Sequence, residues 1–91
     1  MAKLEGTDTR ALVLIKAELG KAAEVAEQVS VADGVCWTLM VTGPYDIIAA
    51  VRVEDNFALG ELVVNQIQKI PGVHNPTTLV ATSRWGENGF P

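Results

Sequence analysis

A run of branched apolar residues near the start of the chain sharply limits the folds open to it. The segment TRALVLIKAEL, residues 9–19, carries aliphatic side chains at successive positions. Successive apolar positions favour a strand with apolar side chains on both faces, as in a sheet shielded from water on its two sides. We therefore predict a strand over 9–19, in a sheet that needs a cover on each side.

Two further strands and a helix follow in order. The segment 21–29 (KAAEVAEQV) has small apolar residues at helical spacing, namely Ala22, Val25, Ala26 and Val29, which predicts an amphipathic helix. Strands are predicted at 35–42 (VCWTLMVT) and 46–53 (DIIAAVRV), joined as a hairpin by a short connection that contains glycine. Strict alternation in the first of them would put Val35, Trp37, Leu39 and Val41 on one face.

The second half of the chain predicts one more helix and one more strand. Asp55 or Asn56 can cap the helix, and Pro71-Gly72 ends it. Its apolar side consists of Leu59, Leu62, Val63, Ile67 and Ile70. The last strand is predicted over 77–83 (TTLVATS).

The order β-α-β-β-α-β predicts an α+β domain of the ferredoxin-like type. Its four-stranded antiparallel sheet carries both helices on one face. The strands are apolar on both faces, so the face without helices also needs a cover. A second copy of the same sheet is the simplest cover, and we predict at least a homodimer with the arrangement of a dimeric α/β barrel.

Composition restricts the possible functions. The 91 residues allow one domain, and 48% of them are hydrophobic. The net charge is −4, and no two of the seven basic residues are adjacent, so we expect no direct binding to nucleic acid or to a membrane surface. With a single cysteine, no signal peptide and no long apolar span, the chain is predicted to be cytoplasmic.

Three segments resemble the ligand-binding domain of the Lrp/AsnC (feast/famine) regulators. VTGPYDIIAAV (41–51) is similar to that family's strand, Gly-x-Tyr-Asp bend and strand. IQKIPGV (67–73) is similar to its helix ending in Pro-Gly-Val, and TTLVA (77–81) to its Thr-rich closing strand, although Pro76 stands where the family often has Thr. The resemblance implies a ligand-binding domain over 9–83, flanked by terminal segments 1–8 and 84–91.

The resemblance also implies a function. Such domains dimerise through their sheets, assemble into higher oligomers, and bind free amino acids or related small metabolites in a cleft between dimers. Few residues precede the first strand, so the chain resembles the form without a helix-turn-helix domain, which would regulate transcription indirectly. It could also act by forming mixed oligomers with full-length Lrp/AsnC regulators. The implied ligand-binding residues are Gly43, Tyr45, Asp46 and Thr78.

The bend chemistry agrees with a site, but a plain turn explains the same residues. Asp46 can pair with an ammonium group, the backbone at Gly43 can approach a carboxylate, and Tyr45 offers a ring and a hydroxyl. An ordinary hairpin turn also uses Gly, Pro and Asp, for backbone reasons alone. Thr78 is equally well explained as a β-branched strand residue.

The residues contain no recognisable catalytic set. There is no phosphate loop, Ser/His/Asp set or metal-spaced cluster, so we predict no catalytic residue, cofactor or metal. The alternative is a cofactor-free monooxygenase or isomerase, which needs a polar cavity inside the subunit with His74 pointing inward.

If the protein is not such an enzyme, we expect His74 in a solvent-facing loop and Cys36 as a small core residue. Trp85 and Phe90 either dock on a neighbouring subunit or lie in a frayed terminus.

Overall fold

A computed structural model describes residues 8–86. The elements are β1 (Thr9–Ala17), α1 (Ala22–Ser30), β2 (Val35–Met40), β3 (Ile47–Val53), α2 (Asn56–Leu62), a π-helical turn (Val63–Ile67) that continues α2, and β4 (Val73–Val80). The strands form one sheet in the order β2-β3-β1-β4, and every neighbouring pair is antiparallel. The predicted ferredoxin-like α+β fold is confirmed.

The core lies between the helices and one face of the sheet, which we call the inner face. Alternate residues of β1 and β3 point into it, and both helices contribute one apolar stripe. Its buried members are Ala11, Val13, Ile15, Val25, Val29, Ile47, Ala49, Val51, Leu59, Leu62 and Ile67. Val63 and Ile70 pack against this cluster from its margin, so the predicted apolar side of α2 is confirmed.

The ends of α2 follow the predicted chemistry. Asp55 caps the first turn, since its Oδ1 accepts a hydrogen bond of 2.8 Å from the backbone N–H of Ala58. After the helix the chain turns at Gly72, which has a φ of +98°. No helix within residues 8–86 has the length and hydropathy needed to cross a bilayer.

The opposite face of the sheet, which we call the outer face, is also apolar. Its central side chains are those of Leu12, Leu14, Trp37, Leu39, Ile48, Ala50 and Leu79, which the strand register places side by side. Leu39 and Leu79 keep 51% and 50% of their surface exposed. The sequence prediction of strands with two apolar faces is confirmed.

The expected alternation of β2 is wrong at its first residues. Val35 pairs with Val51, but Trp37 pairs with Ala50, so the register shifts by one residue between them. This bulge turns Val35 to the inner face and Trp37 to the outer face. Cys36 lies within the bulge and is exposed, so its prediction as a core residue is also wrong.

The last strand begins earlier than predicted. β4 starts at Val73 rather than at residue 77, and it contains Pro76. A second bulge makes this possible, because two steps along β1, from Leu14 to Lys16, match three steps along β4, from Thr77 to His74. Proline has no N–H to donate, so a bulge on an edge strand is where a sheet tolerates it. Beyond β4, Trp85 is 71% exposed, and Phe90 lies outside the described residues.

Candidate ligand-binding site

The predicted site residues of the bend lie between β2 and β3. The N–H of Val41 donates a hydrogen bond of 2.9 Å to the carbonyl of Asp46 and closes the connection. Gly43 has a φ of +141°, and a Cβ added there would meet no atom within 4 Å. Glycine is therefore needed for its backbone conformation, and the space beside it is open.

Asp46 ties the bend to the end of β1. Its N–H donates to the carbonyl of Ile15 at 2.9 Å, and its Oδ2 accepts from the N–H of Ala17 at 2.8 Å. Within the described part of the chain its other oxygen, Oδ1, has no hydrogen-bond partner. The carboxylate thus has a structural role and one oxygen free to bind a ligand.

Tyr45 connects the bend to the far edge of the sheet. Its hydroxyl and the Oγ1 of Thr77 share a hydrogen bond of 3.2 Å, and both residues are partly buried. Thr77 is the register partner of Leu14 and shares its outer face. The Tyr45 ring therefore extends from the bend towards the outer-face side of β4.

Thr78, which the resemblance assigned to the site, lies on the other side of the sheet. It is the register partner of Val13, whose side chain is fully buried in the core. Side chains of opposed residues in an antiparallel pair point to the same face, so Thr78 faces the helices. The structure therefore puts Thr77, not Thr78, beside Tyr45.

Sequence reasoning overlooked Lys16. Lys16 is the exposed outer-face residue at the end of β1, and its register partner across the bulge is His74. The signal was present in the strand itself, because Lys16 lies two residues from Leu14 and so shares its face. His74 is exposed as predicted, but it belongs to β4 and not to a loop.

The enzyme alternative predicted that His74 points into the subunit. His74 lies on the outer face, away from the space beneath the helices. A surface groove of about 490 Å³ lies beside the start of α2, where Arg52, Asp55 and Phe57 contribute to its lining. Across residues 8–86, no group of three His, Cys, Asp or Glu side chains could hold a metal ion.

A family model and a curated relative both match this sequence. The sequence model of the family described as the Lrp/AsnC ligand binding domain matches residues 10–89. An uncharacterised HTH-type transcriptional regulator of Pyrococcus furiosus is 34% identical over 58 residues, which are 64% of this chain and 39% of that protein. The chain therefore matches well under half the length of this curated relative.

Solved structures share the fold. The crystal structure of TTHA0845 from Thermus thermophilus has a TM-score of 0.81 and 30% identity, over 87% of this chain and 99% of that one. The L-Met complex of the transcriptional regulator NMB0573 from Neisseria meningitidis has a TM-score of 0.80 over 96% of this chain and 61% of that one. Its identity is 17%, so this second likeness concerns the fold alone.

Proposed function

Because this chain belongs to the Lrp/AsnC ligand-binding domain family, we propose that it binds a free amino acid or a related small metabolite at the bend formed by Gly43, Tyr45 and Asp46. The observation that carries the proposal is the divided role of Asp46. One carboxylate oxygen is held by the N–H of Ala17 at 2.8 Å, which fixes the orientation of the other. A fixed, partly buried carboxylate is a suitable partner for an ammonium group.

The neighbouring groups supply the rest of the binding chemistry. The open backbone at Gly43 allows a ligand to approach its peptide groups. The Tyr45 hydroxyl, already in contact with Thr77, can accept or donate one more hydrogen bond. A ligand with one ammonium and one carboxylate group would use both kinds of partner.

We also propose that the site is completed by neighbouring subunits. On one chain the bend is open to solvent, and Thr42, Gly43 and Pro44 are exposed. The apolar outer face gives a second copy a surface to cover, and dimers formed there can assemble further.

The proposed biological role is regulatory. The Pyrococcus furiosus relative is named as a transcriptional regulator, and the Neisseria meningitidis regulator was crystallised with L-Met. We propose that ligand binding changes the assembly of this protein, or its mixing with full-length regulators of the family, and so affects transcription indirectly. The alternative of a cofactor-free enzyme lacks support, since His74 is on the outer face rather than inside the subunit.

Calorimetric titration with the twenty free amino acids tests the proposal. We expect at least one to bind at or below millimolar concentration. Asp46→Asn should weaken that binding by about tenfold or more, because the amide oxygen stays with the Ala17 N–H and the NH2 group that replaces Oδ1 cannot accept from an ammonium. Glu54→Gln is the matched control, since Glu54 is an exposed carboxylate on the loop after β3. No heat with any amino acid up to millimolar concentration, or equal affinities for wild type and Asp46→Asn, would contradict the proposal.

A further inference from the structure

The bulge in β4 determines which way His74 points. In an unbroken register starting from Thr77 opposite Leu14, Asn75 would oppose Lys16 and His74 would turn to the inner face. The extra residue instead pairs Val73 with Ala17, on the inner face, and His74 with Lys16, on the outer face. A bulge is a known means of re-aiming a side chain near a functional site.

The backbone of the bulge is strained. Asn75 has a φ of +36°, the one positive φ among the non-glycine residues of the described chain. Asparagine tolerates this conformation better than most residues, but it still costs free energy relative to a regular strand. Strain of this kind persists where the surrounding structure imposes it, often beside binding sites. The bulge that contains this residue makes the exposed His74 the register partner of the exposed Lys16.

These two basic side chains lie at the same end of the sheet as the proposed site. Asp46 is bonded to β1 on both sides of Lys16, to the carbonyl of Ile15 and to the N–H of Ala17. Thr77, which contacts the Tyr45 hydroxyl, is on the same strand and face as His74. One small region of the surface thus combines a carboxylate, two hydroxyls and two basic groups.

The oppositely charged side chains in this region form no ion pair with each other. Within the described chain Lys16 forms no ion pair at 4.0 Å or less, either with Asp46 or with any other carboxylate, and His74 forms none either. Lys21 and Arg52, by contrast, each have an acidic partner. The charged atoms of Lys16 and Asp46 therefore lie more than 4.0 Å apart, so each can bind a group of opposite charge on a ligand.

We propose that Lys16 and His74 bind the carboxylate of the ligand, while Asp46 binds its ammonium group. This inference rests on the proposed function and assigns the carboxylate side of that site to two side chains, so an amine or an amino acid amide should bind more weakly than the free α-amino acid. The Lys16 ammonium and the His74 N–H groups are donors to the two carboxylate oxygens. The Tyr45 and Thr77 hydroxyls lie beside them as further partners.

The first test uses the unaltered protein. Each of the twenty amino acids is titrated, and every one that binds is compared with its carboxamide, which keeps the ammonium group and the side chain. We expect the amide to bind about 10- to 100-fold more weakly, the usual effect of losing hydrogen bonds to a charged group. An amide that binds as tightly as its acid would overturn the carboxylate assignment and leave the proposed function standing. If no amino acid binds, the proposed function and this inference are both overturned.

The second test assigns the effect to the two side chains. Lys16→Met and His74→Gln should each lower the affinity for the amino acid by about 10-fold or more and should leave the affinity for its amide unchanged. Lys16→Arg keeps the charge and should retain most of the affinity. The control is Lys69→Met, an exposed lysine in the turn after the π-helical turn, which removes the same charge and should have no effect. The proposal would be overturned if Lys16→Met weakened the binding of acid and amide equally. It would also be overturned if Lys69→Met weakened the binding of the acid as much as Lys16→Met does.

Discussion

A single carboxylate connects the fold to the proposed function. Asp46 holds the start of β3 against the end of β1 through two hydrogen bonds, one from its N–H and one to its Oδ2. The same bonds keep its Oδ1 in a fixed position at the surface. A change at this residue therefore affects stability and binding by different routes, and the two effects can be separated by the choice of variant.

The first prediction concerns the stability role of Asp46. Asp46→Ala should lower the free energy of unfolding by about 1–2 kcal/mol, because the partly buried N–H of Ala17 loses its acceptor. Asp46→Asn should lower it by less than about 0.5 kcal/mol, since the amide oxygen can accept the same bond. Urea titrations at one fixed protein concentration measure both values. Equal losses in the two variants would show that the charge matters to the fold more than the hydrogen bond does.

The helices and strands that the sequence predicts correctly are those that depend on a local pattern of residues. The helical spacing of Val25 and Val29, and of Leu59 and Leu62, identified the buried stripes of α1 and α2. The position of β4 was not predictable in this way, because Pro76 argues against a strand in any local assessment.

The same limit applies to the site. Thr77 and Thr78 are adjacent, and the choice between them depends on the register against β1. That register contains an extra residue at the bulge, and no local pattern in the sequence encodes it. Sequence reasoning placed Gly43, Tyr45 and Asp46 in one bend because a bend has a characteristic composition. It overlooked Lys16, although alternation along β1 puts that residue on the face of Leu14. The outward turn of His74 could not be predicted, because it depends on how two distant strands align.

Two glycine substitutions test the structure, one within α2 and one in the turn before β2. Gly60 lies within α2, and a Cβ added there would meet no atom within 4 Å. Gly60→Ala should raise the free energy of unfolding by about 0.5–1 kcal/mol, the difference in helix propensity between the two residues.

Gly34→Ala is the contrasting variant. Gly34 has a φ of +95°, and its added Cβ would lie 2.8 Å from the Cγ1 of Val53. The strained backbone and the close contact should lower the free energy of unfolding by about 1–3 kcal/mol. Thermal unfolding followed by circular dichroism compares the two variants. A loss of stability in Gly60→Ala would indicate that another subunit packs closely against α2.

The two faces of the sheet differ in how far they are shielded from water. The inner face is covered by both helices, while the outer face exposes the side chains of Leu39 and Leu79. Exposed aliphatic surface raises the free energy of an isolated chain. A second copy on the outer face would remove these side chains from water.

The last prediction tests which face the second copy covers. Leu79→Glu places a charge on the outer face at a side chain that is 50% exposed, so an isolated chain should still fold. Val64→Glu makes the same change on the helix side, at a side chain that is 52% exposed. Burying an unpaired carboxylate in an interface costs several kcal/mol, so sedimentation velocity should show monomers for Leu79→Glu. Val64→Glu should sediment like the wild type, as a dimer or larger assembly of the 9.7 kDa chain. The reverse pattern would move the interface to the helices, and the Lys16, His74 and Asp46 site would then have to bind its ligand without help from a copy on the outer face.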